Sequence, residues 1–281
     1  MMSTGQILLL GAIAGGTIFF GLPMARLQAM GPATRAGLSA LATGILLFLL
    51  WDVLSGAVSP IEHRLEVRHW GPFAGYAALG VGGFVLGLMS LVYYAEWMKT
   101  RANRRATTLV GPGAAATDEF RQRGSIEALT PGMRLALLIA VGIGVHNFAE
   151  GLAIGQAAAA DQASLAVTLI VGFSLHNATE GFGICGPMSG EGTRPSWGFL
   201  ALLGAIGGAP TFFGTVLGQA WSSEAMTVVF FAVAAGSILY VVQELFAVNR
   251  KHGHTTLVMW LVLAGLVLGF ATDFVISAAG V

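Results

Sequence analysis

The amino-acid sequence predicts an all-α, polytopic membrane protein with eight transmembrane helices. Hydrophobic residues make up 55% of its 281 residues, charged residues only 10%, and the mean hydropathy is +0.76. A helix that crosses a bilayer needs about 20 predominantly apolar residues, and the sequence repeatedly supplies stretches of this kind. We place the eight helices at residues 5–22, 37–57, 73–95, 135–156, 164–186, 199–220, 226–246 and 257–278.

Other fold classes fit this pattern poorly. A soluble helical protein would carry polar faces on most of its helices. Open sheets cannot span lipid, and the stretches are too long and too evenly apolar for barrel strands. We therefore predict a single transmembrane domain over residues 1–281, with one sizeable polar insertion. That insertion, residues 99–131, is rich in Arg, Ala, Thr and Gly, which predicts a flexible cytoplasmic loop.

The distribution of basic residues predicts the orientation. Twelve of the 14 Lys and Arg residues fall on one side of the predicted membrane helices. The positive-inside rule puts that side in the cytoplasm and both termini outside. No basic segment precedes the first apolar stretch and no convincing cleavage site follows it, so we keep that stretch as a membrane helix. Cys185 is the only cysteine, which excludes an intramolecular disulfide and a thiolate cluster.

One string of residue types occurs twice inside apolar stretches. His-Asn-x-x-Glu-Gly stands at 146–151 and again at 176–181, 30 residues further on. Imidazole and carboxylate groups are costly in hydrocarbon. Residues four apart share one face of a helix, so His146 pairs with Glu150 and His176 with Glu180. An interhelical hydrogen bond would explain one such His, but not four ionisable groups at matched spacing. We interpret the pair as a site for a metal ion in transit at mid-membrane.

The donor types reduce the number of candidate ions but do not identify one. Two His and two Glu form a plausible four-coordinate zinc set. Iron or manganese could use the same set together with waters or with Asn147 and Asn177.

Other polar residues could bind the ion before or after the central site. Glu244, near the cytoplasmic end of the seventh predicted helix, is a candidate exit site, with His252 and His254 beyond it. Candidate outer stations, which could equally be solvated residues, are Asp52, Glu62, His63, Glu66 and His69. Asp273, near the predicted outer end of the last helix, could likewise be either an ion-binding residue or a solvated one.

These features together resemble the Zrt/Irt-like (ZIP) family of divalent-metal transporters. The paired strings on the fourth and fifth helices, the eight helices with both termini outside, the long loop after the third helix and residues 234–244 carry the resemblance. It implies transport of zinc, or of iron, manganese or cadmium, toward the cytoplasm. In that family, helices one, four, five and six carry the ion past a dimer-forming scaffold of helices two, three, seven and eight by an elevator-like movement.

The resemblance also assigns roles to residues of this chain. It implies His146, Glu150, His176 and Glu180 as the main ligands, and Asn147 and Asn177 as ligands of a neighbouring second position. We accordingly expect no enzymatic activity, no organic cofactor and no nucleic-acid partner. The expected setting is the inner membrane of a bacterium, with the protein as a homodimer.

The sequence departs from the usual family pattern at several positions. Ala149 and Thr179 stand where the family strings carry proline, which would kink the helix. Ala209 precedes Pro210 where many relatives have Glu, and Gln243 stands where His is common. We therefore expect straighter helices and a weakened or absent second metal position. Gly151 and Gly181 could allow close packing against neighbouring helices. Alternatively, they could interrupt the helices and expose backbone groups near the ion.

Two other functions were weighed. An intramembrane zinc-dependent hydrolase would need two His, a general-base Glu and an open water position on zinc. The His-Glu-x-x-His pattern is absent, and Asn147 and Asn177 occupy the places where that Glu would follow each His. A receptor that couples ligand binding to the 99–131 loop has no positive sequence feature in its favour.

Overall fold

The computed structural model describes residues 3–27, 31–108, 129–160, 163–188, 194–221, 223–251 and 253–278. These residues form eight α-helices and contain no strand. The helices are α1 (Thr4–Gly16), α2 (Pro32–Glu66), α3 (Trp70–Thr108), α4 (Pro131–Ala159), α5 (Ala163–Cys185), α6 (Trp197–Ala220), α7 (Glu224–Lys251) and α8 (Thr255–Ala278). Short 3-10 turns follow α1 at Thr17–Phe20 and Leu22–Arg26, and another follows α5 at Gly186–Met188.

Local chemistry marks where several helices begin. The side chains of Ser3, Thr130 and Ser196 each accept a hydrogen bond from a backbone N–H in the first turn of α1, α4 and α6. Such caps satisfy donors that have no partner inside the helix. Pro32 and Pro131 occupy the first position of α2 and α4, where the missing N–H of proline costs nothing.

The prediction of an eight-helix membrane protein is confirmed. Within the described residues, seven helical segments are long and apolar enough to cross a membrane, with α1 counted together with its 3-10 turns. The remaining helix, α5, has 23 residues but carries the polar string with His176, Asn177 and Glu180. Those side chains lower its mean hydropathy, which is why it is not among the seven.

Two helices extend beyond their predicted ends. α2 continues through Pro60 to Glu66, so Glu62, His63 and Glu66 lie on a helix and not in an outer loop. The expectation that these residues form a loop was wrong, because one proline removes a single backbone hydrogen bond without ending the helix here. α3 continues to Thr108, so the start of the 99–131 insertion is helical. Residues 109–128 of that insertion lie outside the described residues.

Helix contacts fall mainly within two groups. α4 contacts α6 most extensively, and α1 and α5 join them; α3 contacts α7, and α2 contacts both α7 and α8. Glycines bring the backbones together: a Cβ on Gly208 would overlap the carbonyl of Gly15, and a Cβ on Gly87 would overlap the carbonyl of Val233. Small residues at such positions are typical of membrane helix contacts. A transport bundle that moves against a scaffold stays a prediction.

Candidate metal centre

The two His-Asn-x-x-Glu-Gly strings lie on neighbouring helices, one on α4 and the other on α5. Their ionisable side chains turn toward each other and away from lipid. The exposed fraction is 1% for the His146 side chain, 4% for Glu150, 0% for Glu180 and 13% for His176. The structure therefore brings His146, Glu150 and His176 into one buried cluster, with the Glu180 carboxylate beside His146.

Glu150 stands at the centre of this cluster. Its Oε1 lies 2.5 Å from Nε2 of His176 and 3.0 Å from Nε2 of His146. Nε2 of His146 also lies 3.9 Å from Oε1 of Glu180. Two ligands of one zinc ion, each about 2.0–2.3 Å from it, can be no further than about 4.6 Å apart. These three distances meet that requirement, and the ligand atoms of His146, Glu150 and His176 all lie within 4.8 Å of one another.

The cluster contains buried acceptors that nothing in the described residues satisfies. Oε2 of Glu150, both carboxylate oxygens of Glu180 and the side-chain oxygens of Asn147 and Asn177 are buried without a hydrogen-bond partner there. Each such group costs about 1–3 kcal/mol when left unpaired. All five atoms are acceptors, so a ligand that binds here must offer positive charge or hydrogen-bond donors.

The two asparagines tie the strings to other helices. Nδ2 of Asn147 donates to the carbonyl of Gly207 on α6 at 2.9 Å, and Nδ2 of Asn177 donates to the carbonyl of Ala14 on α1 at 3.1 Å. Both side chains are fully buried. These hydrogen bonds join α4 to α6 and α5 to α1 at the residue that follows each histidine. The role of the asparagines as ligands of a second position stays a prediction.

The glycines that end the strings are contact residues. α4 and α5 run as unbroken helices through Gly151 and Gly181, so the alternative of an opened backbone was wrong. A Cβ on Gly151 would overlap the carbonyl of Thr211, and one on Gly181 would overlap the carbonyl of Ile18. The helices are also unbroken at Ala149 and Thr179, where proline is absent. Glycine at these positions lets α6 and the turn after α1 approach the site closely.

Comparison with known proteins identifies the family of this chain. A family model described as the ZIP zinc transporter matches residues 96–277, almost two thirds of the chain. The chain belongs to this family. No curated protein matches it. The matched residues include α4 to α8 and therefore both strings.

Membership of the ZIP family confirms the resemblance seen in the sequence. It assigns the chain to divalent-metal transport across a membrane, and it favours a transporter over the intramembrane hydrolase. The departures at Ala149, Thr179, Ala209 and Gln243 all fall within the matched residues, so they are features of this particular family member.

Two connected cavities adjoin the cluster of this ZIP protein. One, of about 330 Å³, is lined by His146, Glu150 and Asp52, and by Ser55 and Ser59 further along α2. The other, of about 390 Å³, is lined by His176, Asp52 and Asp273 among others. Asp52, a candidate outer station, thus borders both cavities next to the cluster. The proximity of Asp273 to Asp52 was missed, because no sequence pattern shows that α8 lies beside α2.

Glu244 lies elsewhere in the structure. It lines a separate cavity of about 200 Å³ between α3, α4 and α7, together with Lys99, Arg134 and Tyr240. Glu244 therefore does not belong to the central cluster, and its role as an exit site stays a prediction. His254 is exposed just before α8, whereas His252 lies outside the described residues.

A basic residue, Arg64, joins the end of α2 to the beginnings of α3 and α7. Arg64 pairs with the Glu224 carboxylate at 2.6 Å and lies 3.9 Å from the centre of the Tyr76 ring. Glu62, His63, Glu66 and His69, which lie near Arg64 in the chain, are exposed. The structure shows no direct contact between them and the cluster, so their role as outer stations stays a prediction.

Proposed function

We propose that this ZIP protein carries a divalent transition-metal cation toward the cytoplasm through the His146, Glu150, His176 and Glu180 cluster. Zinc is the first candidate, followed by iron, manganese and cadmium. The observation that supports this most strongly is the position of Glu150. One of its oxygens faces two imidazoles and the other has no hydrogen-bond partner among the described residues, inside a buried cluster.

The charge of the proposed site suits a doubly charged cargo. Two carboxylates offset the charge of one divalent ion, and two neutral imidazoles complete a four-coordinate set. A neutral complex avoids most of the penalty that an isolated charge meets in a medium of low dielectric constant. Iron and manganese, which accept more oxygen ligands, would add the side-chain oxygens of Asn147 and Asn177.

We infer that one ion is the principal cargo. Ala209 brings no donor atom to the site, so the second position depends on Glu180, Asn147 and Asn177. One carboxylate with two amide oxygens supplies less negative charge than a divalent ion carries. A second ion would therefore bind more weakly than the first.

We infer further that the described conformation receives the ion from outside. With both termini outside, α2 runs outward, and Ser55 and Ser59 lie on the outer side of Asp52 in the 330 Å³ cavity. On the other side of the cluster, the glycines after Glu180 lie close to other helices: Gly183 faces Ala42 and Leu245, and Gly186 faces Ser39. Elevator-like movement of α1, α4, α5 and α6 would then open the inner side.

Thiol labelling tests this conformation. In a Cys185→Ser background, we expect Ser55→Cys to react with a membrane-impermeant reagent added outside, because Ser55 lines the outer cavity. Ser39→Cys should stay unreactive, because Ser39 is 1% exposed. Both rates are measured by mass shift on metal-free protein in sealed vesicles. Faster labelling of Ser39→Cys than of Ser55→Cys would contradict an outward-facing state.

Metal flux into proteoliposomes tests the function itself. We expect saturable uptake of zinc that is lost in protein-free liposomes, and competition by cadmium, iron or manganese in an order that identifies the preferred ion. Magnesium should not compete, because it keeps its waters and prefers oxygen ligands. If none of these transition metals enters faster than in protein-free liposomes, the transport proposal is wrong.

The setting of the protein is part of the same proposal. We place the chain in the inner membrane of a bacterium, as a homodimer with both termini outside, on the basis of the Lys and Arg distribution and the family. No organic cofactor and no nucleic acid take part in it. Glu244 would receive the ion on the cytoplasmic side.

A further inference from the structure

The 390 Å³ cavity is much larger than a metal ion needs. Its walls come from four helices besides α4, namely α2, α5, α7 and α8. α5 and α8 share few contacts, because α8 packs mainly against α2 and α5 packs mainly against α4, α1 and the turn after α1. Leu175 on α5 and Leu268 on α8 line the cavity and are largely exposed, on surfaces that would face lipid. The cavity is therefore open sideways, toward the bilayer.

One end of the cavity is polar and carries two carboxylates, with the His176 imidazole beside them. Asp52 and Asp273 line it, and neither carboxylate has a hydrogen bond or an ion pair with any described residue. The hydroxyls of Thr179 and Thr272 line it too, but they donate to the carbonyls of His176 and Leu268 at 2.7 and 2.8 Å. Their oxygens can therefore only accept from a ligand. No Lys or Arg is among the described residues that line the cavity.

The rest of the cavity is apolar and aromatic. Phe48, Phe173 and Phe231 line it together with Leu49 and Leu169. Aromatic faces attract organic cations as well as apolar groups. A cavity of this volume lies in the range of sites for small organic ligands, which are typically about 300–1,000 Å³. The ligand that fits both ends has one positive charge on a compact apolar body.

We propose that this cavity is a binding site for a lipophilic organic cation that enters between α5 and α8. Its ammonium group lies between Asp52 and Asp273 beside His176, and its apolar body lies against the three phenylalanines. Because Asp52, Ala153, Phe173 and Phe231 also line the 330 Å³ cavity, the bound cation blocks access to Glu150. This blocking effect rests on the proposed transport function, whereas the binding itself does not.

The test measures binding of radiolabelled 4-phenylbutyltrimethylammonium to chelator-treated protein in nanodiscs, with empty nanodiscs as background. A quaternary ammonium cannot ligate a metal, and its neutral isostere, with carbon in place of nitrogen, has the same shape. We expect saturable binding that the neutral isostere does not displace. Asp52→Asn and Asp273→Asn should each weaken binding at least about tenfold, as expected for loss of a charge partner.

Two further variants make the outcome decisive. Glu224→Gln removes a carboxylate at the beginning of α7, away from the cavity, and should leave binding unchanged. Leu175→Trp narrows the proposed entrance between α5 and α8 at an exposed position without altering charge, and should slow or abolish binding even if the Asp variants fold poorly. Equal displacement by the neutral isostere, or wild-type binding in both Asp variants, would overturn the proposal. Binding without inhibition of metal flux would leave the site standing and contradict only the blocking effect.

Discussion

Replacing Glu150 with alanine is expected to abolish metal flux. Glu150 is the residue that faces both imidazoles of the cluster, so its loss leaves a divalent ion with one carboxylate in a buried site. Removing one partner of a buried charge pair costs about 3–5 kcal/mol, which corresponds to roughly 200- to 5,000-fold weaker binding. Glu180→Ala should act in the same direction. Flux is measured in proteoliposomes at matched protein content.

The fold should survive the Glu150 substitution. Alanine removes a charged side chain from the cluster and leaves the close glycine contacts of α4 with α6 unchanged. We expect the variant to elute as the wild type does on size exclusion, but to lose the rise in melting temperature that bound metal gives the wild type. The matched control is Glu96→Ala, which removes an exposed carboxylate that pairs with Lys99 at 2.8 Å. Wild-type flux in Glu150→Ala would contradict the proposed site.

Replacing Gly151 with valine is expected to prevent correct folding. A Cβ at this position would overlap the Thr211 carbonyl, in the most extensive helix contact of the molecule. The Thr211 carbonyl is part of the α6 backbone and cannot rotate away as a flexible side chain can. α4 and α6 would therefore have to move apart. Overpacking of this kind costs about 1–3 kcal/mol and occasionally more. We expect loss of monodisperse protein and a lower melting temperature, measured in detergent.

The chain offers a matched control for the Gly151 substitution. Gly75 on α3 is exposed, and a Cβ there would meet nothing within 4 Å. Gly75→Val makes the same change in a helix of the same protein, so it includes the same loss of backbone freedom without the overlap. If the two valine variants melt at the same temperature, close approach of α4 and α6 is not the reason for glycine at position 151.

The sequence predicts the helices and the cluster for one physical reason. Apolar stretches of bilayer length have few alternatives to a helix, and His146, Glu150, His176 and Glu180 are conspicuous because such groups are costly in lipid. The repeat of the same spacing then predicts a shared site. Here local pattern and chain topology were enough, and the structure brings the four side chains together.

Features that depend on how helices are arranged in space were not predictable. The proximity of Asp273 to Asp52 requires α8 to lie beside α2, and nothing in either helix specifies its neighbour. The same holds for Asn147, whose amide is satisfied by a carbonyl 60 residues away. The extension of α2 past Pro60 was missed because a proline near an apolar stretch usually suggests an end, whereas the helix continues to Glu66.

The asparagine contacts connect the proposed ion site on α4 and α5 to two further helices. Each histidine is followed directly by a residue anchored elsewhere, His146 through Asn147 to α6 and His176 through Asn177 to α1. A shift of the Ala14 carbonyl would therefore reach the His176 ligand through one hydrogen bond and one peptide unit. We therefore expect substitutions in α1, which contributes none of the proposed ligands, to change ion affinity while the donor set stays the same.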